Sequence, residues 1–300
     1  MLNMNQFVEK LVDQIVMNGI DRELVTVKPV KKNNGRALTG IMIKPSKDSP
    51  IAPVMYADEF IGEYEDGRKS IEDIAKELVE ASFRELNGKD SSISLSKEAI
   101  LGGAFLQAIG ADANKEMLST VPNEKILDIA IIVRTKLSVF GIDGSTTITN
   151  QMIESYGITK EELFDAAKKN ATGSFMCVPV EQLMMSISGQ IDDDDIDENA
   201  ESDIGDHGLY VATNRSKMFG ASVIAFPELL EKYAKRLGGS VYILPSSIHE
   251  VMVLKKNPSV DPDDLHSMVI EINRTQVAPE EVLTDSVYEY DIDTKELRVA

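Results

Sequence analysis

A chain of 300 residues that is 43% hydrophobic is long enough to bury a real core, as one large domain or two of ordinary size. Its 50 acidic and 31 basic side chains give a net charge of −19, which repels phosphate backbones and anionic membranes; the absence of Trp and an aromatic content of only 6% also weigh against a single-strand nucleic-acid binder. One cysteine, Cys177, rules out a disulfide framework or a Cys-rich zinc site, and no apolar run suits a signal peptide or a membrane span, so a soluble cytoplasmic protein is expected.

Phe7, Leu11, Ile15 and Val16 recur at helical spacing, and Asn18-Gly19 ends that helix. LVTVKPVKK and ALTGIMIKP flank Asn33-Asn34-Gly35, a strong hairpin signal. Ala57 to Tyr64 reads as helix, and Ser70 caps a longer one carrying Ile74, Leu78 and Phe83, stopped at Asn87-Gly88. Ser96 caps a further helix through Ile109. The β-branched content of ILDIAIIVRTKL predicts a buried strand.

TNQMIESYGITKEELFDAAKKN reads as two helices joined at Tyr156-Gly157, with Thr159 and Glu162 as a capping box. Pattern is lost after Val180. GLYVATN, ASVIAF, SVYIL and HEVMVL read as strands, PELLEKYAKRLG and PDDLHSMVIEINRTQ as helices, and SVYEYD with KELRVA as a closing hairpin. The expected class is α+β, with mixed helices and mainly antiparallel sheet, and the C-terminal third ordered ββαββαββ. Residues 1–120 form an expected N-terminal α+β region with its hairpin near 24–45. Residues 121–300 form an expected C-terminal α+β domain carrying an acidic flexible loop, 188–208.

Candidate chemistry centres on LPSSIHEVMVL, which brings Ser246, Ser247, His249 and Glu250 close in sequence. Ser246 or Ser247 as nucleophile with His249 as base would make a hydrolase, but Pro245 precedes Ser246 and no Gly supplies a nucleophile elbow. As a strand, HEVMVL would send His249 and Glu250 to opposite faces, and a Pro-Ser-Ser corner accounts for the serines locally. Val253 stands where a helical HExxH zinc motif needs its second histidine, and the other histidines, His207 and His266, fall on other segments.

Nine acids lie between Asp192 and Asp206. Asp195, Asp197, Asn199, Asp203 and Asp206 match the ligand spacing of a calcium loop, although Ala200 replaces the turn glycine and Asp206 the bidentate glutamate. GIDGSTT lacks the lysine of a phosphate loop and no GxGxxG occurs, so neither ATP nor NAD is indicated and no cofactor is expected. Thr213-Asn214-Arg215 is a turn between strands where a binding loop can form, and Cys177 reads as a buried core thiol.

The segments TITNQMIESYGITKEELFDAAKKN, YVATNRSKMFGASVIAFPELLEKYAKRLGGSVYILPSSIHEVMVL and VAPEEVLTDSVYEY, with NNGRALTGIMI, resemble an uncharacterised domain-of-unknown-function family of anaerobic gut Firmicutes. More distantly, the order of these segments is similar to the YtpQ-like family. The resemblance implies an intact bacterial cytosolic protein and transfers no catalytic motif. The leading expectation is therefore a non-catalytic binding or regulatory protein with a basic protein partner and no direct contact with nucleic acid or membrane. The alternatives are the serine hydrolase and a divalent-cation-binding protein using the acidic loop.

Overall fold

Asn3 and Gln6 bond each other's backbone N–H groups at the start of α1 (Met4–Met17), whose Phe7, Leu11 and Ile15 are fully buried. This helix opens a computed structural model that describes residues 2–44, 46–47, 52–84, 96–137, 144–202, 208–245 and 247–300. The chain divides into two compact units, Met1–Ser96 with Leu137–Ser145, and Lys97–Lys136 with Thr146–Ala300.

In the smaller unit, β1 (Val25–Lys31) and β2 (Ala37–Ile43) form the expected hairpin, Val25 opposite Ile43 and Lys31 opposite Ala37. Asn34 and Gly35 take the left-handed conformation that the turn requires. β3 (Val54–Tyr56) completes an antiparallel sheet, followed by α2 (Ala57–Glu65) and α3 (Ile71–Arg84). Ser70 and Asp73 cap α3 reciprocally, each side chain accepting the other's backbone N–H at 3.1 Å. Ile41 and Ile43 of β2 pack with Ile74 and Leu78 of α3 and the buried face of α1.

The larger unit starts with α4 (Lys97–Gly102), β4 (Ala104–Gly110), α5 (Lys115–Leu118), β5 (Asn123–Ile126) and β6 (Ile129–Lys136). The helix expected from Ser96 to Ile109 thus ends early. Residues 104–110 are strand because they pair along the full length of β6, Ala104 opposite Thr135 and Gly110 opposite Ile129. Gly103 lets the chain pass, since a Cβ there would meet Thr135 Oγ1 at 2.6 Å. The β4–β6 pairing also joins residues on either side of position 120. β6 holds the predicted buried strand, but Leu127, in the left-handed region, turns the chain ahead of it. β7 (Ser145–Thr147) lies beside β6.

Next come α6 (Asn150–Tyr156), α7 (Lys160–Asn170) with the expected Thr159–Glu162 capping box, β8 (Phe175–Pro179) and α8 (Val180–Ile187). α8 occupies the stretch where the sequence pattern was lost. The remaining elements are β9 (Leu209–Asn214), α9 (Pro227–Leu237), β10 (Val241–Leu244), β11 (Val251–Lys255), α10 (Pro262–Thr275), β12 (Tyr288–Asp291) and β13 (Glu296–Val299).

Six of these strands form one antiparallel sheet in the order β13-β12-β10-β11-β9-β8. Tyr242 and Leu244 of β10 pack against Leu265 and Val269 of α10, while Val178 and Val211 pack under Leu183 of α8. The class is α+β, as expected. The C-terminal order becomes βαββαββ, because ASVIAF, expected as a strand, is a 3-10 helix, Gly220–Ala225. Among the described residues no helix is long and apolar enough to cross a membrane.

Two further features of this unit are a partly buried carboxylate and a buried thiol. Asp128, in the β5–β6 turn, accepts hydrogen bonds from Thr284 Oγ1 (2.7 Å), Ser286 Oγ (2.8 Å) and Tyr288 Oη (2.6 Å). Burial alone would push its carboxyl up; the three hydroxyl donors outweigh that and hold it below the ordinary range. Cys177 is buried in β8, and desolvation pushes its thiol up to about 12.

Candidate functional site

β9 ends at Asn214, whose side chain organises the turn that follows. Its amide donates to Met218 O (2.8 Å), and its Oδ1 accepts from Ser216 Oγ (2.8 Å) and Met218 N–H (3.3 Å). Lys217 and Phe219 within this turn both have left-handed backbones, a conformation unusual for residues with a Cβ. Gly220 then passes so close to β9 that a Cβ would meet Thr213 Oγ1 at 2.3 Å and the backbone of Asn214 and His249 at 2.6 Å. Only glycine fits there.

The 245–250 connection between β10 and β11 faces this turn. Thr213 Oγ1 donates to His249 O (2.8 Å), and the Phe219 N–H donates to His249 Nδ1 (3.2 Å). With Nδ1 accepting an amide proton, the neutral ring carries its own proton on Nε2, which lies 3.5 Å from Glu281 Oε1. The ring of Phe219 is itself placed between Phe105, His249 and the Arg134 guanidinium.

Ser247 is closed into a local turn. Its Oγ accepts the His249 backbone N–H (2.9 Å) and donates to Glu250 Oε1 (2.8 Å). A cavity of about 370 Å³ opens beside these groups, lined by Ser247, His249, Glu250, Glu281, Lys217, Thr213 and Gln276 with Leu183, Ile187, Met218 and Val277. Ile187 and Met218 are 64% and 51% exposed at its edge.

Of the sequence candidates, Ser247 and His249 share this cavity, and Ser246 lies outside the described residues. The expected separation of His249 from Glu250 by strand alternation does not occur, because β11 begins only at Val251 and both residues belong to the connection. Sharing a cavity does not pair serine with histidine, however: neither imidazole nitrogen is hydrogen-bonded to Ser247 among the described residues. One ring nitrogen is taken by an amide and the other carries a proton, so this tautomer offers no base for the hydroxyl. His266 is exposed on α10, and His207 lies outside the described residues.

The acid run is fastened to the unit at several points. Asp193 accepts from Lys217 Nζ (2.6 Å) and from Ser186 Oγ, and these bonds hold its carboxyl below the ordinary range. Asp197 N–H donates to Gln182 Oε1 (3.0 Å), Glu198 pairs with Arg215 (2.7 Å), and Ser202 bonds Tyr210 Oη and Glu181. Asp195 ends a short 3-10 turn, while the Asp197 carboxylate accepts the Asn199 N–H (2.9 Å). Asp203 and Asp206 lie outside the described residues, and among the described residues no three His, Cys, Asp or Glu side chains group as a metal site.

Sequence reasoning missed Glu281, Lys217, Ile187 and Met218. Glu281 reaches the cavity because its backbone carbonyl accepts the Ile248 N–H (2.8 Å), a long-range contact without a local sequence signal. Exposed methionines at Met184 and Met218, on separate elements, are a signal that becomes readable only when the fold brings α8 and the β9 turn to one cavity.

A family model matches residues 4–292. The chain belongs to the family of unknown function DUF5688. The match confirms a domain of unknown function over nearly the whole chain. No curated protein and no solved structure matches it.

Proposed function

We propose that this DUF5688 chain is a non-catalytic binding protein that holds a basic protein partner at the cavity of its larger unit. The carrying observation is the exposed apolar edge, Ile187 and Met218, beside the carboxylates of Glu250 and Glu281. Apolar side chains left in water around a concave polar site are what a partner covers. The overall charge of −19 favours a basic partner and speeds its encounter. A bacterial cytosolic setting, the gut-Firmicute source and the distant YtpQ-like likeness belong to the same proposal; the single buried thiol suits a reducing compartment.

The test is capture from the native host with wild type and with Ile187→Asp/Met218→Asp. The expected result is a stoichiometric basic protein retained by wild type and lost by the variant; equal recovery by both would refute the assignment of the cavity.

A serine hydrolase is the second reading, favoured by Ser247, His249 and Glu250 sharing one cavity. It requires His249 to release the Phe219 amide, so that the unprotonated Nδ1 is free to take the serine proton while Nε2 keeps its own. A fluorophosphonate probe discriminates: labelling of Ser247 that His249→Ala abolishes would favour the enzyme, and an unlabelled chain the binder.

A further inference from the structure

We infer that the cavity receives one basic side chain, lysine or arginine, of a peptide segment, with Glu281 as its counter-ion. This rests on the binding reading and adds which residue the partner presents.

Size is the first constraint. At about 370 Å³ the cavity lies near the lower end of ligand sites, suited to one long side chain rather than a bulky cofactor.

Charge is the second. The cavity's own cation, Lys217, is engaged by Asp193 and by Ser186 Oγ at 2.7 Å. Glu250 already accepts the Ser247 hydroxyl. Glu281 differs: its carboxylate is 45% exposed, and among the described residues its side chain meets only His249 Nε2, at 3.5 Å. A carboxylate offers about four acceptor positions, so most of its capacity stays open to a donor. An acidic side chain would meet Glu250 and Glu281 with like charge.

Apolar lining is the third. Lysine and arginine carry long hydrocarbon stems, for which Ile187, Met218 and Val277 provide a wall. Met184, 61% exposed on the same helix as Ile187, extends this surface beyond the cavity, where a free amine would not use it but the neighbours of a peptide side chain would. Methionines adapt to varied neighbours, so the flanking sequence need not be strict.

The experiment uses the full chain and fluorescence anisotropy with four labelled nonapeptide pools, identical in randomised uncharged flanks and fixed at the centre as Lys, Arg, norleucine or Glu. The Lys and Arg pools are expected to bind about tenfold tighter than norleucine and Glu, with the margin shrinking in salt. Glu281→Gln, which keeps shape and is half-exposed, is expected to erase that margin. Equal binding of Lys and norleucine pools, or a margin that survives Glu281→Gln, overturns the inference. If all pools bind equally and Ile187→Asp/Met218→Asp abolishes binding, the binding reading stands while the basic side chain falls. Binding of lysine amide without any pool overturns the peptide. Silence from every probe also overturns the inference, whereas the binding reading falls only if host capture fails too.

Discussion

Asp128 and Glu281 are carboxylates of the same unit with opposite fates. Asp128 accepts three hydroxyls, from Thr284, Ser286 and the first residue of β12, Tyr288, and the result is a fastening between the β5–β6 turn and the six-stranded sheet. Among the described residues Glu281 has one distant imidazole partner, and an apolar edge lies beside it. A carboxylate most of whose acceptor positions are taken inside the fold contributes to stability; one with most of them open beside exposed apolar groups is available to something else. The contrast separates structural from functional acids in a chain with 50 of them.

The largest expected effect tests the frame rather than either carboxylate. Gly220→Ala pushes a methyl group into the Thr213 hydroxyl and two backbone atoms, which cannot yield as a flexible side chain would. Destabilisation of about 3 kcal/mol in urea is expected, the upper end for overpacking because backbone atoms are among those met; a near-wild-type midpoint would show that the cavity's back wall is adjustable.

Asp128→Ala comes next, at about 2–3 kcal/mol, since it leaves three hydroxyls without their acceptor. Its pH dependence has a definite sign. The folded carboxyl is held below its unfolded value of about 3.9, so its contribution is complete above that pH and is lost as pH falls through the lower folded value. Wild type should therefore lose more stability than Asp128→Asn between about pH 5 and the acid limit. Parallel acid limbs would remove Asp128 from the fastening.

Glu281→Gln is expected to change stability by less than about 0.5 kcal/mol, because a half-exposed pair at 3.5 Å contributes little. A large loss would make Glu281 a structural acid like Asp128 and blur the comparison. Smallest of all is the response to calcium: millimolar ion should shift the melting temperature by less than about 1 °C. A clear rise would support the divalent-cation role of the acid run.

Much of the fold was legible because it rests on local rules. The Asn34-Gly35 turn, the Ser70 and Thr159 caps, and the α9 stop, where Gly238 has a φ of 76°, depend on residues within one turn of each other. Residues 104–110 and 220–225 were misread because distant partners decide them: β6 recruits the first as strand, and the close approach of Gly220 to Thr213 and His249 bends the second into a 3-10 turn. The site was half legible. Ser247 and His249 stood out by type, but only the three-dimensional structure shows the tautomer set by Phe219 and the arrival of Glu281.

Cys177 gives this chain a practical property. As the sole cysteine, buried and with its thiol raised to about 12, it carries almost no thiolate near neutral pH. Both the burial and the raised thiol lead to the expectation that the native protein reacts slowly with maleimides. A cysteine introduced at Met184, exposed on α8 and not part of the cavity lining, becomes the reactive handle, and a fluorophore attached there would report on the neighbouring opening while leaving Met218 in place.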